Sequence, residues 1–143
     1  MTTPARPPIT CHVLDTLTGT PAPSIAVTLR LLAANGHSSS SAATSFSGTT
    51  NDDGRVTAWS SSGSGPLEEV FAGAAGDMQW AIAFDTGAYW AARGVAPFFP
   101  EVEIRFVTQG FKGRTEDEHR GKSAHWHVPL LLGPYSYTTY RGS

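Results

Sequence analysis

Three histidines and one arginine stand where residue type and spacing can do chemistry. His12 interrupts an otherwise apolar run, and alternation puts it on the face opposite Cys11 and Val13. His125 and His127 lie at i and i+2, so on a strand they share one face. An unperturbed imidazole titrates near pH ~6.5 and can take a proton from water close to neutrality. Half-buried, it costs hydrogen-bonding free energy unless it meets a partner or a wet cavity. Arg55 follows Asn51-Asp52-Asp53-Gly54 and opens the apolar run Val56 to Trp59. There it can be a solvated strand-end charge, or its fork of donors can hold a planar, oxygen-rich ligand. Spacing leaves both readings open.

Other chemistries fit less well. His-x-His with His12 as a third imidazole resembles a three-histidine zinc set, but no further ligand signature accompanies it, and no metal or other cofactor is expected. Cys11 faces away from His12, and no Gly-x-Ser-x-Gly elbow is present to carry a nucleophile. Gly63-Ser64-Gly65 lacks the Lys-Ser/Thr ending of a phosphate loop. The residues alone support activation of water or no chemistry at all, each histidine being equally readable as a hydrogen-bonded structural or surface residue.

The elements that must position them read as strands. Ile9, Cys11 and Val13 alternate with Thr10, His12 and Leu14; Ile25, Val27, Leu29 and Leu31 alternate with Ala26, Thr28 and Arg30. Thr18-Gly19-Thr20-Pro21 is a turn signal between them. The same period recurs in Met78, Trp80, Ile82 and Phe84, and in Val102, Ile104 and Phe106 opposite Glu101, Glu103 and Arg105. Short alternating runs bounded by Gly, Pro or Asp predict an antiparallel all-β sandwich or barrel. One short helix is expected, capped by Asp85 or Thr86, running over Ala88 to Arg93 and ended by Gly94 and Pro97. A terminal hairpin is expected from Ser123–Leu132 and Tyr135–Arg141 about Gly133-Pro134, with Pro129 placing the first strand at an edge or a bulge. Residues 1–8 are expected as a disordered tail, residues 9–143 as one domain, and 33–47 and 60–76 as long Ser/Gly-rich loops.

Composition narrows the partners. The 143 residues fit one domain, and only 15% are charged, against ~25% in ordinary domains. Low surface charge favours self-association. A net charge of −2 does not supply the basic footprint nucleic acid requires. The chain has no apolar run long enough for a membrane span, and MTTPARPP has no apolar stretch for a secretory signal. The lone Cys11 precludes an intramolecular disulfide. The cytoplasm is the expected compartment; the peroxisome is the alternative, although the chain ends Arg-Gly-Ser and not Ser-Lys-Leu.

Taken in order, several motifs resemble one family. They are Cys-His-Val-Leu-Asp-Thr (11–16), Asn-Asp-Asp-Gly-Arg-Val (51–56), Phe-Asp-Thr-Gly-Ala-Tyr-Trp (84–90), Phe-Phe-Pro-Glu-Val (98–102), His-Trp-His-Val-Pro-Leu-Leu-Leu (125–132) and the terminal Tyr-Arg-Gly-Ser (140–143). Together they are similar to the transthyretin-like 5-hydroxyisourate hydrolases of urate breakdown. Trp126 stands where that family commonly has tyrosine, and Gly133 where it commonly has serine. The resemblance implies a transthyretin-like sandwich of two four-stranded sheets with one short helix. It also implies a homotetramer with its sites in a central channel, and metal-independent hydrolysis of 5-hydroxyisourate to 2-oxo-4-hydroxy-4-carboxy-5-ureidoimidazoline. Carried over by position, it implies His12, Arg55 and His127 as catalytic residues and Tyr140, Arg141, Gly142 and Ser143 as substrate-binding residues. His125 is outside that set and stays a hydrogen-bonded structural histidine. The alternative is a transthyretin-like carrier that binds a small molecule without turning it over.

Overall fold

Alternation becomes sidedness once the strands pair. The computed structural model describes residues 6–34, 44–63, 65–115 and 124–143. The first sheet is built on β1 (Ile9–Asp15) and β9 (Trp126–Leu132), which run parallel, with Thr10 beside His127 and Val13 beside Leu130. β10 (Tyr137–Thr139) pairs with β9 on the far side. The other edge of β1 is shared by β2 (Thr20–Pro21) and β5 (Arg55–Val56). The second sheet runs β6 (Ser60–Ser61), β4 (Ser45–Thr49), β3 (Ala26–Ala34), β7 (Asp77–Phe84) and β8 (Val102–Gln109). The expected all-β sandwich of two sheets is therefore present. Each sheet counts five strands where four were expected, because two-residue segments such as β2, β5 and β6 meet the pairing criterion.

The inward faces are the predicted ones. Ile9, Cys11 and Val13 pack against Val27, Leu29, Trp80, Ile82 and Phe84 in one buried cluster. Burial of one such side chain contributes roughly 1.5–3 kcal/mol, so the apolar period holds both sheets in register. The partners of those residues, Thr10, His12 and Leu14 among them, are turned to the outer face of the first sheet.

The expectations for the two loops and the tail change. The stretch 60–76 carries a second helix, α1 (Leu67–Gly73), beside the expected one, α2 (Thr86–Ala91). Leu67 and Phe71 bury the inner face of α1, and Phe71 stacks on Trp80 and Trp126 with ring centroids 5.6 and 5.5 Å away. Aromatic anchoring of that kind orders the segment that follows the Ser-Gly run. The stretch 33–47 is shorter as a connection, since β3 reaches Ala34 and β4 starts at Ser45; residues 35–43 lie outside the described ones. Of the tail, residues 1–5 lie outside the described residues, whereas Pro8 is tied down by the Trp126 N–H donating to its carbonyl at 2.8 Å.

β9 is an interior strand that keeps one register against β1, so neither the edge nor the bulge expected at Pro129 is there. Gly142 N–H donates to the His127 carbonyl, and Thr139 Oγ1 donates to the Pro129 carbonyl. Pro129 thus faces the interval between the last β10 pair, Thr139 with Leu130, and the bridge of Gly142 to His127. A residue without an N–H is tolerated where the ladder lapses.

The helix α2 is capped as expected, with the Asp85 side chain accepting from Ala88 N–H. Tyr89 on α2 donates its hydroxyl to Asp15 Oδ2 at 2.6 Å, and the Asp15 carboxylate also accepts from Leu17 N–H. Asp15 is only 1% exposed, so a lost donor leaves a buried carboxylate underpartnered. Tyr89→Phe should lower unfolding stability by about 1.5–3 kcal/mol, read as a fall in the urea midpoint at constant m-value. A change within about 0.5 kcal/mol would contradict this partnership.

Candidate active site

Four backbone constraints bring the polar residues together. The register of β1 against β5 sets His12 opposite Arg55. The register of β1 against β9 sets Thr10 beside His127. Thr10 and His12 share the outer face of β1, and His127 shares the corresponding face of β9. The fourth constraint is the terminal segment, whose Gly142 bridges back to His127.

Arg55 is delivered by the turn before it. Asn51 Oδ1 accepts from the N–H groups of Asp53 and Arg55, at 2.9 and 3.0 Å, and Gly54 N–H donates to the Asn51 carbonyl. Gly54 has φ +75°, and a Cβ there would stand 2.5 Å from the Val13 carbonyl oxygen, so only glycine lets the turn close on β1. The result is an exposed guanidinium beside the first-sheet histidines.

The rings form a row. His12 and His127 have centroids 6.5 Å apart, and His125 and His127 6.4 Å apart. Thr10 Oγ1 stands between the latter two, 2.8 Å from His127 Nδ1 and 3.0 Å from His125 Nε2. This hydroxyl is the hydrogen-bonding partner the half-buried imidazoles require. A Cβ on Gly142 would come within 2.6 Å of His127 Cδ2, so the terminal glycine packs directly on the ring.

A cavity of about 570 Å³ opens on this row, lined by Arg55, His127 and Ser143 together with Arg6, Thr10 and His125. His12 borders His127 without lining that cavity itself. Tyr140 and Arg141 line a smaller, 160 Å³ cavity on another side of His127, between β8 and β9. The structure therefore gathers His12, Arg55, His127, Gly142 and Ser143, while Tyr140 and Arg141 lie on the other side of His127, with Arg141 donating to the His125 carbonyl at 3.4 Å. Thr10 and Arg6 were not singled out from sequence. For Thr10 a signal was there, since a hydroxyl two residues from His12 on one strand must share its face. Arg6 sits in the segment read as a tail, where nothing marked it.

Electrostatics keep the row neutral. Burial first, then the charge of Arg55, lowers His12 below the ordinary histidine value, while a hydrogen bond to the Asp53 backbone opposes the shift. Burial first, then Arg55, His12 and Arg6, lowers His127. His125 falls to about 4 through burial, followed by the charges of Arg6, His127 and Arg141. Cys11 behaves oppositely: burial raises its thiol to about 12, which leaves no thiolate for chemistry. Among the described residues no group of three His, Cys, Asp or Glu side chains converges to hold a metal ion. What the arrangement offers is neutral imidazole as proton acceptor, guanidinium as oxygen binder, and a cavity large enough for water and a small ligand.

Comparison with known proteins then places the chain. Residues 9–142 match the model of the HIUase/Transthyretin family. The chain belongs to that family. A probable 5-hydroxyisourate hydrolase of Schizosaccharomyces pombe is 37% identical over 142 residues, spanning 98% of this chain and 94% of that one. Among solved structures, the transthyretin of Sparus aurata superposes with a TM-score of 0.67 at 26% identity, covering 96% of this chain and 97% of the other. The 5-hydroxyisourate hydrolase of Klebsiella pneumoniae gives 0.58 at 27% identity, covering 94% and 92%. Since transthyretin and hydrolase share the HIUase/Transthyretin backbone, the side chains of the site must discriminate between them.

The histidine shifts have a signed consequence. A folded-state value below the unfolded one means the unfolded chain binds more protons as pH falls through about 6.5, so stability drops there. An NMR titration should place His125 near 4 and His12 and His127 below the ordinary value. Arg55→Gln should raise the midpoints of His12 and His127. Midpoints at or above about 6.5 in the unmutated chain would contradict the described electrostatics.

Proposed function

We propose that the chain hydrolyses 5-hydroxyisourate, the oxidation product of urate, by metal-independent opening of its six-membered ring. The observation that carries this reading is the assembly of His12, Arg55 and His127 on one outer face in a chain whose family relatives include proteins named 5-hydroxyisourate hydrolase. The scissile bond is an amide N–C(=O) bond, and water is too weak a nucleophile to attack it unaided.

His12 and His127 position a water molecule and take its proton as the oxygen adds to the carbonyl carbon. A positioned imidazole base supplies roughly 10²–10⁴-fold. Burial and the Arg55 charge keep both rings neutral, which is the form a base needs. Charge developing on the carbonyl oxygen is met by the Arg55 guanidinium, a donor that stays charged. The tetrahedral adduct collapses with cleavage of the C–N bond, the imidazolium returns its proton to the leaving nitrogen, and the acyl carbon becomes a carboxylic acid that stays joined to the opened product and loses its proton to solvent at neutral pH. Ser143 supplies a hydroxyl to the pocket, and Gly142 leaves room for the His127 ring. Tyr140 and Arg141 brace His127 from its other side and close the binding region.

A homotetramer with the sites in a central channel belongs to the same proposal. Phe98, Val107, Tyr135 and Tyr140 are exposed apolar or aromatic side chains, and Arg55 and Ser143 stand open on an outer sheet face. Association would cover the first set and wall in the second. The cytoplasm is proposed as the compartment, in keeping with a single unpaired, buried cysteine.

Generating 5-hydroxyisourate in situ with urate oxidase and following its ultraviolet decay tests the reading. The unmutated chain should accelerate the decay, and Arg55→Ala should slow turnover by about 10²–10³-fold, the ordinary loss for one oxyanion donor. His12→Ala, His127→Ala and Gly142→Ala should also fall steeply. Tight ligand binding with no accelerated decay would favour a carrier.

A further inference from the structure

The Thr10 hydroxyl has a single proton and lies between two imidazole nitrogens, His127 Nδ1 at 2.8 Å and His125 Nε2 at 3.0 Å. It can donate to at most one of them, and its two lone pairs can accept from one or both. Two arrangements satisfy all three groups without a further acceptor. In the first, His127 Nδ1–H donates to Thr10, Thr10 donates to His125 Nε2, and His127 Nε2 is left with its lone pair. In the second every bond is reversed, and His127 Nε2 carries a hydrogen. If both rings donated to Thr10, its own hydrogen would find no other acceptor among the described residues. Of the two satisfied arrangements, only the first leaves His127 able to accept a proton from water.

We propose that Thr10 and His125 are positioning residues that hold His127 in the first arrangement, with Nδ1 protonated and Nε2 as the open base. The inference rests on the hydrolase reading above for its catalytic meaning, and on the geometry alone for its chemistry.

Four observations favour it. Thr10 is set directly beside His127 by strand register, and its β-branched side chain has a stiff χ1, so the hydroxyl is fixed in place. Gly142 packs on the Cδ2 side of the ring and so holds its orientation. With Nδ1 taken by Thr10, Nε2 is the ring nitrogen without a hydrogen bond among the described residues. The guanidinium of Arg55 lies on the wall of the same cavity and offers only donors, so a His127 nitrogen that keeps its lone pair in that cavity is favoured over an N–H.

His125 is then more than a filler. To accept from Thr10 it must be neutral, with its own hydrogen on Nδ1. Burial and the nearby charges of Arg6 and Arg141 disfavour its cationic form. Loss of that acceptor frees the Thr10 proton to point at His127 Nδ1, which moves the ring hydrogen to Nε2 and blocks the base. In turnover the hydrogen on His127 Nδ1 never leaves. Nε2 takes the proton from water and later yields it to the leaving nitrogen, while Thr10 accepts from Nδ1 throughout.

The test combines histidine ¹⁵N spectroscopy with kinetics. In the unmutated chain above pH 7, the ¹⁵N shifts and two-bond couplings should report His127 protonated at Nδ1. Thr10→Val keeps the shape and removes the hydroxyl; it should shift His127 towards the Nε2–H tautomer and lower kcat about tenfold to a hundredfold with KM within about twofold. Thr10→Ser should restore both the tautomer and kcat. His125→Ala should shift the tautomer in the same direction as Thr10→Val. An Nε2–H tautomer in the unmutated chain, or an unchanged tautomer and kcat in Thr10→Val, would overturn the proposal. The tautomer is read without substrate, so it decides this inference even where absence of turnover by the unmutated chain overturns the hydrolase reading.

Discussion

At the Thr10–His127 pair, β1 and β9 are 117 residues apart in the chain, yet they run side by side in parallel over seven residue pairs. The register between them is the constraint on which the candidate site depends. Ile9, Cys11 and Val13 must face inward, and so must Trp126, Val128 and Leu130. A slip of one residue would send those side chains outward and carry His127 into the core. With each buried side chain contributing roughly 1.5–3 kcal/mol, apolar packing enforces a register whose visible product is polar. The hydroxyl of Thr10 meets two imidazoles because hydrophobic residues on the opposite face leave it no other position.

The remaining elements refine that seam. The turn Asn51 to Gly54 closes against Val13 and fixes β5, so Arg55 meets His12 across a strand pair and not through a flexible loop. The terminal segment folds back over β9 where Pro129 interrupts the ladder, and its glycine rests on the His127 ring. Burial and three arginines near the row, Arg6, Arg55 and Arg141, act in one direction on the histidines, towards the neutral form. A neutral imidazole next to a fixed cation is the combination that proton abstraction and oxyanion binding require.

Much of this is legible in the sequence. Period-two alternation located β1, β3, β7 and β8 and their inward residues, because each strand buries one face and leaves the other polar. Asp85 and Gly94 bracketed α2 through capping chemistry. The motif order carried His12, Arg55 and His127 to one site. What escaped had physical reasons. Leu67 and Phe71 are one helical turn apart, but Ser61 to Pro66 masks that short signal, and its anchor, the stack of Phe71 on Trp80 and Trp126, is wholly tertiary. Pro129 points to an edge or a bulge because sequence shows a missing donor and not the gap opposite it. Thr10 was assigned to the right face, but its role needs the parallel register with β9, and no local pattern encodes a pairing at that separation. The shortage of charge, 15% of the chain, hinted only at association. The outer-face site and the exposed aromatics Phe98 and Tyr135 give that hint a place.

The central claim is that one outer sheet face, organised by β1 against β9, presents Arg55 and His127 to the same ligand. A crystal structure of the chain with a non-hydrolysable planar cyclic amide tests it most directly. The account predicts a ligand carbonyl oxygen within hydrogen-bonding distance of the Arg55 guanidinium and a water on His127 Nε2, facing the carbonyl carbon. A ligand bound elsewhere, or seated there with His127 Nε2 donating to it and no water in line, would contradict the account.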